Sequence, residues 1–335
     1  MIINYHILLI SKCERFAIKE MEMKKLIALL LLLILLVGCV PTKEADIIAS
    51  MYIQYDISKK IVGNEMSVSL FTPPGAESHE YQPSSRDIEA IKKSKLFIYT
   101  SLEMDSWIKD PSKLGGEDTI VLDLSKEFTD VVHDHSHYHE NMQSPIIDDH
   151  DHDIHYWTDP LIFIQLIDAI AETIINIDPV NEEFYRDNAE AYKEEIQSIH
   201  YELDAYVQGY TGPVNIYFAG HNALSSFSER YHINIISLQD SYQPDADVTS
   251  AQIQAMIEQI KSANTHYLFI EELKEPRVAN TIKSELAKSN YELKLLELHG
   301  YHNVSKSQLE NGITYADLFR KNIMNLKEAL DNGNI

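Results

Sequence analysis

The chain is poor in cysteine and in positive charge. Only Cys13 and Cys39 occur in 335 residues, both near the N-terminus, so a disulfide framework and a thiolate metal site are both excluded. Lys and Arg number 28 against 52 Asp and Glu, a formal net charge of −24. A surface so short of basic groups cannot neutralise nucleic-acid phosphates, nor hold anionic lipid headgroups through a basic patch. A cationic ligand suits it better. The apolar run over residues 26–37, LIALLLLLILLV, is 12 residues long, whereas a membrane-spanning helix needs about 20. The chain also lacks a GxSxG elbow, a P-loop and a dinucleotide-binding glycine fingerprint,. No HExxH segment occurs, so a zinc peptidase would have no general base.

The remaining composition is that of a globular protein: 44% hydrophobic, 9% aromatic and 24% charged,. The length suggests two domains with ample core. Lys24 and Lys25 ahead of the 26–37 run form the positive and apolar regions of a signal peptide,. Met21 and Met23 are alternative starts in front of it, either of which would leave Cys13 outside the translated chain. The run ends in Leu36-Val37-Gly38-Cys39, which resembles the bacterial lipobox, in which the cysteine is acylated and becomes the first mature residue. Two acyl chains on Cys39 would hold the body at the membrane. Cleavage there moves the net charge from −24 to −26.

From Ile47 onward, short apolar runs alternate with helical stretches. Strands are expected at 67–71, 96–99 and 120–122, with a capping box at Ser84 opening a helix and Asp159-Pro160 opening another,. Residues 181–207 read as one long, polar helix with sparse apolar positions at Phe184, Ala191, Ile196, Ile199 and Leu203. A helix of that kind can run between two domains with partial packing. A second set follows: strands at 214–218, 233–236, 267–270 and 293–296, and helices at 253–260, 278–286 and 315–330. The pattern predicts an α/β fold of two lobes with parallel-type sheets, joined by one long linking helix. No internal repeat is evident beyond that shared character.

Histidine is where the sequence is rich. Of 15, six sit in an alternating His/Asp stretch: His133, His135, His137, His139, His150 and His152. Such a stretch cannot pack as core and reads as a solvated loop that takes up divalent metal through its imidazoles; imidazole favours zinc, copper or nickel over calcium or magnesium. Three more histidines, His79, His155 and His221, each fall in a loop beyond a predicted strand, where α/β sheets bind ligands. The acid pairs Glu271-Glu272 and Glu194-Glu195 read as solvated faces. Most of His200, His232, His266, His299 and His302 read as structural.

Three segments carry a specific resemblance. Phe71-Thr72-Pro73-Pro74-Gly75-Ala76-Glu77-Ser78-His79-Glu80-Tyr81-Gln82-Pro83-Ser84, His155-Tyr156-Trp157-Thr158-Asp159-Pro160, and Phe218-Ala219-Gly220-His221-Asn222-Ala223 followed by Arg230-Tyr231 resemble the signatures of the cluster A-I zinc/manganese solute-binding lipoproteins of ABC importers. Thr158 stands where that family usually has Leu. The resemblance implies a metal site in the cleft between the lobes, with His79, His155 and His221 as ligands. The family's fourth ligand is an acid after a late strand, and Glu297 in Leu296-Glu297-Leu298-His299-Gly300 aligns with it. His299 and His302 are rival donors, and water could complete the shell. Family members often carry a disulfide in the second lobe, which this chain cannot form. Manganese members generally place a carboxylate at the third position, so His221 points to Zn2+ as the metal bound.

The resulting expectation is a monomeric, non-enzymatic zinc-binding lipoprotein, anchored on the extracytoplasmic face of the cell membrane and serving an ABC permease. Its layout would be an upstream region and signal peptide (1–38), a lipidated tether (39–46), an N-terminal lobe (47–180) with a His-rich loop (133–153), a linking helix (181–208) and a C-terminal lobe (209–335). A manganese carrier, a metal-dependent surface adhesin and a lipid-anchored zinc hydrolase are the competing readings.

Overall fold

Two four-stranded parallel sheets organise the chain. The computed structural model describes residues 44–129, 153–239 and 248–332. Cys39 and the six histidines of the His/Asp loop lie outside the described residues. The first sheet is built from β1 (Ile47–Ala49), β2 (Val68–Leu70), β3 (Leu96–Tyr99) and β4 (Ile120–Asp123), in the order β2-β1-β3-β4. Helix α1 (Tyr52–Val62) connects β1 to β2, and α2 (Ser85–Lys93) leads into β3. Ser84 caps α2 as expected: its side chain accepts from the Asp87 N–H, and the Asp87 carboxylate accepts from the Ser84 N–H. Every side chain of β3 is buried, as befits a strand with elements on both faces of a parallel sheet.

Helix α3 (Pro160–Ile177) begins where Asp159 accepts the Leu161 N–H at 2.8 Å, with Pro160 in the first turn. The linking helix α4 follows over Glu182–Gly209. Its buried stripe is Tyr185, Ala189, Tyr192, Ile196, Ile199 and Leu203, in alternating four- and three-residue steps, with His200 buried beside it,. Phe184 and Ala191, expected on that face, are exposed. The apolar positions looked sparse only because tyrosines supply part of the stripe. Buried Asp56 explains one of them, accepting a hydrogen bond from the Tyr192 hydroxyl and another from the Tyr315 N–H.

The second sheet repeats the first in the order β6-β5-β7-β8, from β5 (Asn215–Ala219), β6 (Asn234–Ser237), β7 (Tyr267–Ile270) and β8 (Lys294–Glu297). Its helices are α5 (Ser225–Tyr231), α6 (Ser250–Ala263) and α7 (Arg277–Ala287); α8 (Lys306–Glu310) and α9 (Tyr315–Asn332) complete the chain. All described residues belong to one compact unit, and one hydrophobic core runs through both lobes, from Leu96 and Trp157 to Phe269 and Leu296. Trp157 is fully buried and donates its indole N–H to the Gly300 carbonyl at 2.9 Å. Tyr315 stacks on Phe163 with centroids 3.7 Å apart, and its hydroxyl reaches the Trp157 carbonyl. The C-terminal helix is thereby packed back onto the N-terminal lobe.

Candidate metal centre

Each sheet reverses its strand order beside its central strands, and the loops beyond the carboxyl ends of such strands form a crevice suited to ligands. His79 comes from the loop after β2, and His155 from the single helical turn before α3. His221 follows β5, and His302 follows β8. These four imidazoles converge: one ring nitrogen from each lies within 4.8 Å of the other three, and every pair of ring centroids is separated by 5.0–5.6 Å. The Nε2 atoms of His79 and His155 are 3.4 Å apart. Tetrahedral zinc at ~2.0–2.1 Å from each nitrogen requires a spacing of about 3.3–3.4 Å.

Carboxylates stand behind three of the four rings. Glu271 accepts both the His221 Nδ1–H and its backbone N–H, each at 2.5 Å. Glu272 accepts the His302 Nδ1–H at 3.0 Å and the Gly300 N–H at 3.0 Å. Asp153 lies 3.6 Å from His155 Nδ1 and accepts the His155 backbone N–H. It also takes hydrogen bonds from Ser225 and Ser226 at the start of α5, tying the His155 turn to the opposite lobe. On His221 and His302 the carboxylate bonded to Nδ1 fixes the tautomer and turns the Nε2 lone pair inward,. Among the described residues, Nε2 of His221 and of His302 is buried with no hydrogen-bond partner. The Ser58 hydroxyl and Nε2 of His299 are buried and unmatched as well, but outside the cluster; on His221 and His302 the unmatched atoms belong to the group of four imidazoles, where an ion would satisfy them,.

Electrostatics keeps His79 and His155 in the neutral form that ligates. Burial, reinforced by the other three imidazoles, pushes His79 down to about 2. Burial also lowers His155, to about 4, against the opposing pull of Asp153. Both are neutral donors at neutral pH. For His302 burial acts downward, but the hydrogen bond and charge of Glu272 outweigh it and raise its pKa. Burial works to raise Glu272 as well, yet His299, His302 and the Gly300 N–H hold it below the ordinary carboxylate range.

Of the expected ligands, the structure brings together His79, His155 and His221, and it adds His302 from the two rival donors. It does not bring in Glu297. That carboxylate, on the last residue of β8, meets Lys321 of α9 at 2.7 Å, while its carbonyl accepts from Asn325. His299 is also outside the group; its Nδ1 accepts the Tyr301 N–H, and Asn322 brackets its backbone. The chain reaches His302 by reversing at Tyr301, whose φ is 63°. Gly300 makes room, since a Cβ there would lie 2.8 Å from the His302 ring. Gly220 has a similar role, because a Cβ on it would lie 2.5 Å from the Glu271 side chain.

The acid pair Glu271-Glu272 is likewise not a solvated face. Glu272 is 8% exposed, and the two carboxylates orient two different histidines. Two acids directly beyond a strand, in line with histidine loops on its neighbours, were the available signal. Period-two alternation would have sent one of them to solvent, but β7 ends at Ile270, so it does not apply.

Comparison with known proteins places the chain in a family and a fold. Residues 47–329 match the family described as zinc-uptake complex component A, periplasmic (ZnuA). The high-affinity zinc uptake system protein ZnuA of Bacillus subtilis (strain 168) is 25% identical over 290 residues, covering 86% of this chain and 88% of that protein. The zinc-binding lipoprotein AdcA of Streptococcus pneumoniae (strain R6) is 26% identical over 325 residues; 92% of this chain aligns, spanning 62% of that longer relative. The fold is shared with the crystal structure of the Zn(II)-bound ZnuA-like domain of S. pneumoniae AdcA. The TM-score is 0.69 at 21% identity, covering 86% of this chain and all of that one. A family match over nearly all of the described residues leads to one conclusion: the chain belongs to the ZnuA family of zinc-uptake components.

Proposed function

We propose that this protein captures Zn2+ outside the cytoplasmic membrane, holds it between its lobes on His79, His155, His221 and His302, and delivers it to the permease of an ABC importer. The observation that carries the reading is the pair of buried, unmatched Nε2 atoms on His221 and His302, each held by a carboxylate on Nδ1. Four imidazole ligands suit zinc better than manganese, which favours oxygen ligands. They also fill a tetrahedral shell and leave no position for an activated water, which argues for carriage over hydrolysis. The lipobox at Cys39 supports a lipid anchor on the extracytoplasmic face, and the lipoprotein name of the pneumococcal relative supports the same. The protein acts as a monomer in this reading.

Elemental analysis with competition titrations tests the metal. One tightly held zinc per chain is expected, and preferential retention of manganese at neutral pH would sink the assignment. Deleting the His/Asp loop should leave that tight site intact. The deletion has to stop at residue 152, because Asp153 anchors the His155 turn to α5. Loss of the tight site on this deletion would show that loop and cleft are not separate. Glu272→Gln is expected to weaken zinc binding about 10–100-fold, the usual cost of removing a carboxylate behind a histidine ligand. Unchanged affinity in that variant would mean that Glu272 does not orient His302.

A further inference from the structure

His79 differs from the other three histidines of the cluster. It is the only one of the four that is not fully buried, and among the described residues no carboxylate is paired with its ring. The loop that carries it is held by other means. Glu77 accepts the His79 backbone N–H through Oε1 at 3.4 Å, and its Oε2 meets the Lys274 ammonium at 3.1 Å. Lys274 belongs to the opposite lobe. It lies on the same short segment as Glu271 and Glu272, and its ammonium is also 3.8 Å from Glu271 Oε2. That segment turns sharply: Leu273 has φ 61°, and the Lys274 N–H reaches back to the Glu272 carbonyl at 2.7 Å. The left-handed leucine is an uncommon conformation. A cavity of about 130 Å³ adjoins the cluster, and Glu77, Glu271, Lys274, His221 and His302 are among its lining residues.

From these contacts we propose that Lys274 is a clasp across the mouth of the metal site, a positioning residue that gates passage of the ion without ligating it. It links the carboxylate that touches the His79 backbone to the one that orients His221. The least supported ligand is thereby pinned by a bond between the lobes. Opening the Lys274–Glu77 pair frees the loop of His79, and the ion exits on that side. The same ammonium presents a like charge to an entering cation, so it slows entry as well as exit. The inference rests on the zinc-binding reading, and it assigns the rates to a residue outside the ligand set.

The test follows zinc release from the loaded protein by stopped-flow mixing with excess chelator, in the unsubstituted chain, Lys274→Met, Glu77→Gln and the double variant. Release is expected to speed up about two- to five-fold in each single variant, the range for a partly exposed ion pair. The double variant should be no faster than either single one. Entry should also speed up in Lys274→Met, because one positive charge is gone from the approach, so its Kd moves less than either rate. Raising the ionic strength should hasten release from the unsubstituted chain and not from Lys274→Met. The visible spectrum of the Co2+-loaded protein should be the same in all four, since the ligands are untouched. Unchanged release in both single variants, multiplicative effects in the double variant, or an altered Co2+ spectrum would each overturn the clasp. Failure of the zinc reading itself would register separately, as the absence of tight zinc retention by the unsubstituted chain.

Discussion

Replacing His302 with alanine is expected to lower zinc affinity by about 10²–10³-fold. A four-ligand zinc site binds with about 10–16 kcal/mol near neutral pH, so an even share for one ligand is ~2.5–4 kcal/mol. Water entering the vacated position offsets part of that, because three imidazoles and a water are themselves a stable zinc shell. Glu297→Ala is the informative contrast. Glu297 pairs with Lys321 at the surface, where neither side chain is deeply buried, and such pairs contribute about 0–1 kcal/mol. Its removal should leave zinc affinity within about threefold of the unsubstituted chain. Competition titration with a chromophoric chelator reads both variants. Equal losses, or a larger loss for Glu297→Ala, would return the fourth position to the carboxylate expected from the resemblance.

The second large effect concerns the joint between the lobes. Arg230 on α5 donates through Nε to both oxygens of Asp159, at 2.9 and 2.8 Å, and through Nη2 to Oδ2 at 2.5 Å. Their side chains are 8% and 6% exposed. Asp159 also caps α3, the helix that follows the His155 turn. Arg230→Met leaves that carboxylate buried without its counter-charge, a change that costs about 3–5 kcal/mol. In a body of this size the midpoint of thermal unfolding should fall by on the order of 5–15 °C. Asp159→Asn combined with Arg230→Met should recover more than half of the loss. The neutral amide keeps an oxygen for the Leu161 N–H, and no buried charge is stranded. Differential scanning calorimetry of the metal-free proteins measures this. A single variant within 2 °C of the unsubstituted chain would show the pair to be dispensable.

Much of the architecture was legible along the chain. Ser84 and Asp159 announce their helices because a cap is a local device, satisfied within three residues. Strands 96–99 and 267–270 appear where their apolar runs predicted them. Helix α1 carries Ile53, Ile57 and Ile61 at four-residue spacing, but its burial extends beyond that stripe to Gln54, Asp56 and Ser58. The polar residues in it are buried by tertiary packing, which the apolar pattern does not announce. The buried face of α4 was misjudged for a related reason: tyrosine is part polar, and only the packing shows which end of the ring counts.

The sequence by itself determined the two-lobed α/β plan, three of the four converging histidines and the family, because capping, strand hydrophobicity and motif spacing are written in consecutive residues. The choice among Glu297, His299 and His302 was not written there. It depended on where β8 ends, on the reversal at Tyr301 and on the absence of a side chain at Gly300, which together carry the chain past two candidate donors to a third. The three carboxylates behind the rings, and the lysine across the mouth, were equally invisible. Each lies far along the chain from part of what it holds: Glu271 acts on a residue 50 positions away, and Lys274 pairs with Glu77 of the other lobe. Only the folded chain brings such groups within hydrogen-bonding distance, and in doing so it turns a pair of surface-looking acids into the frame of the histidine cluster.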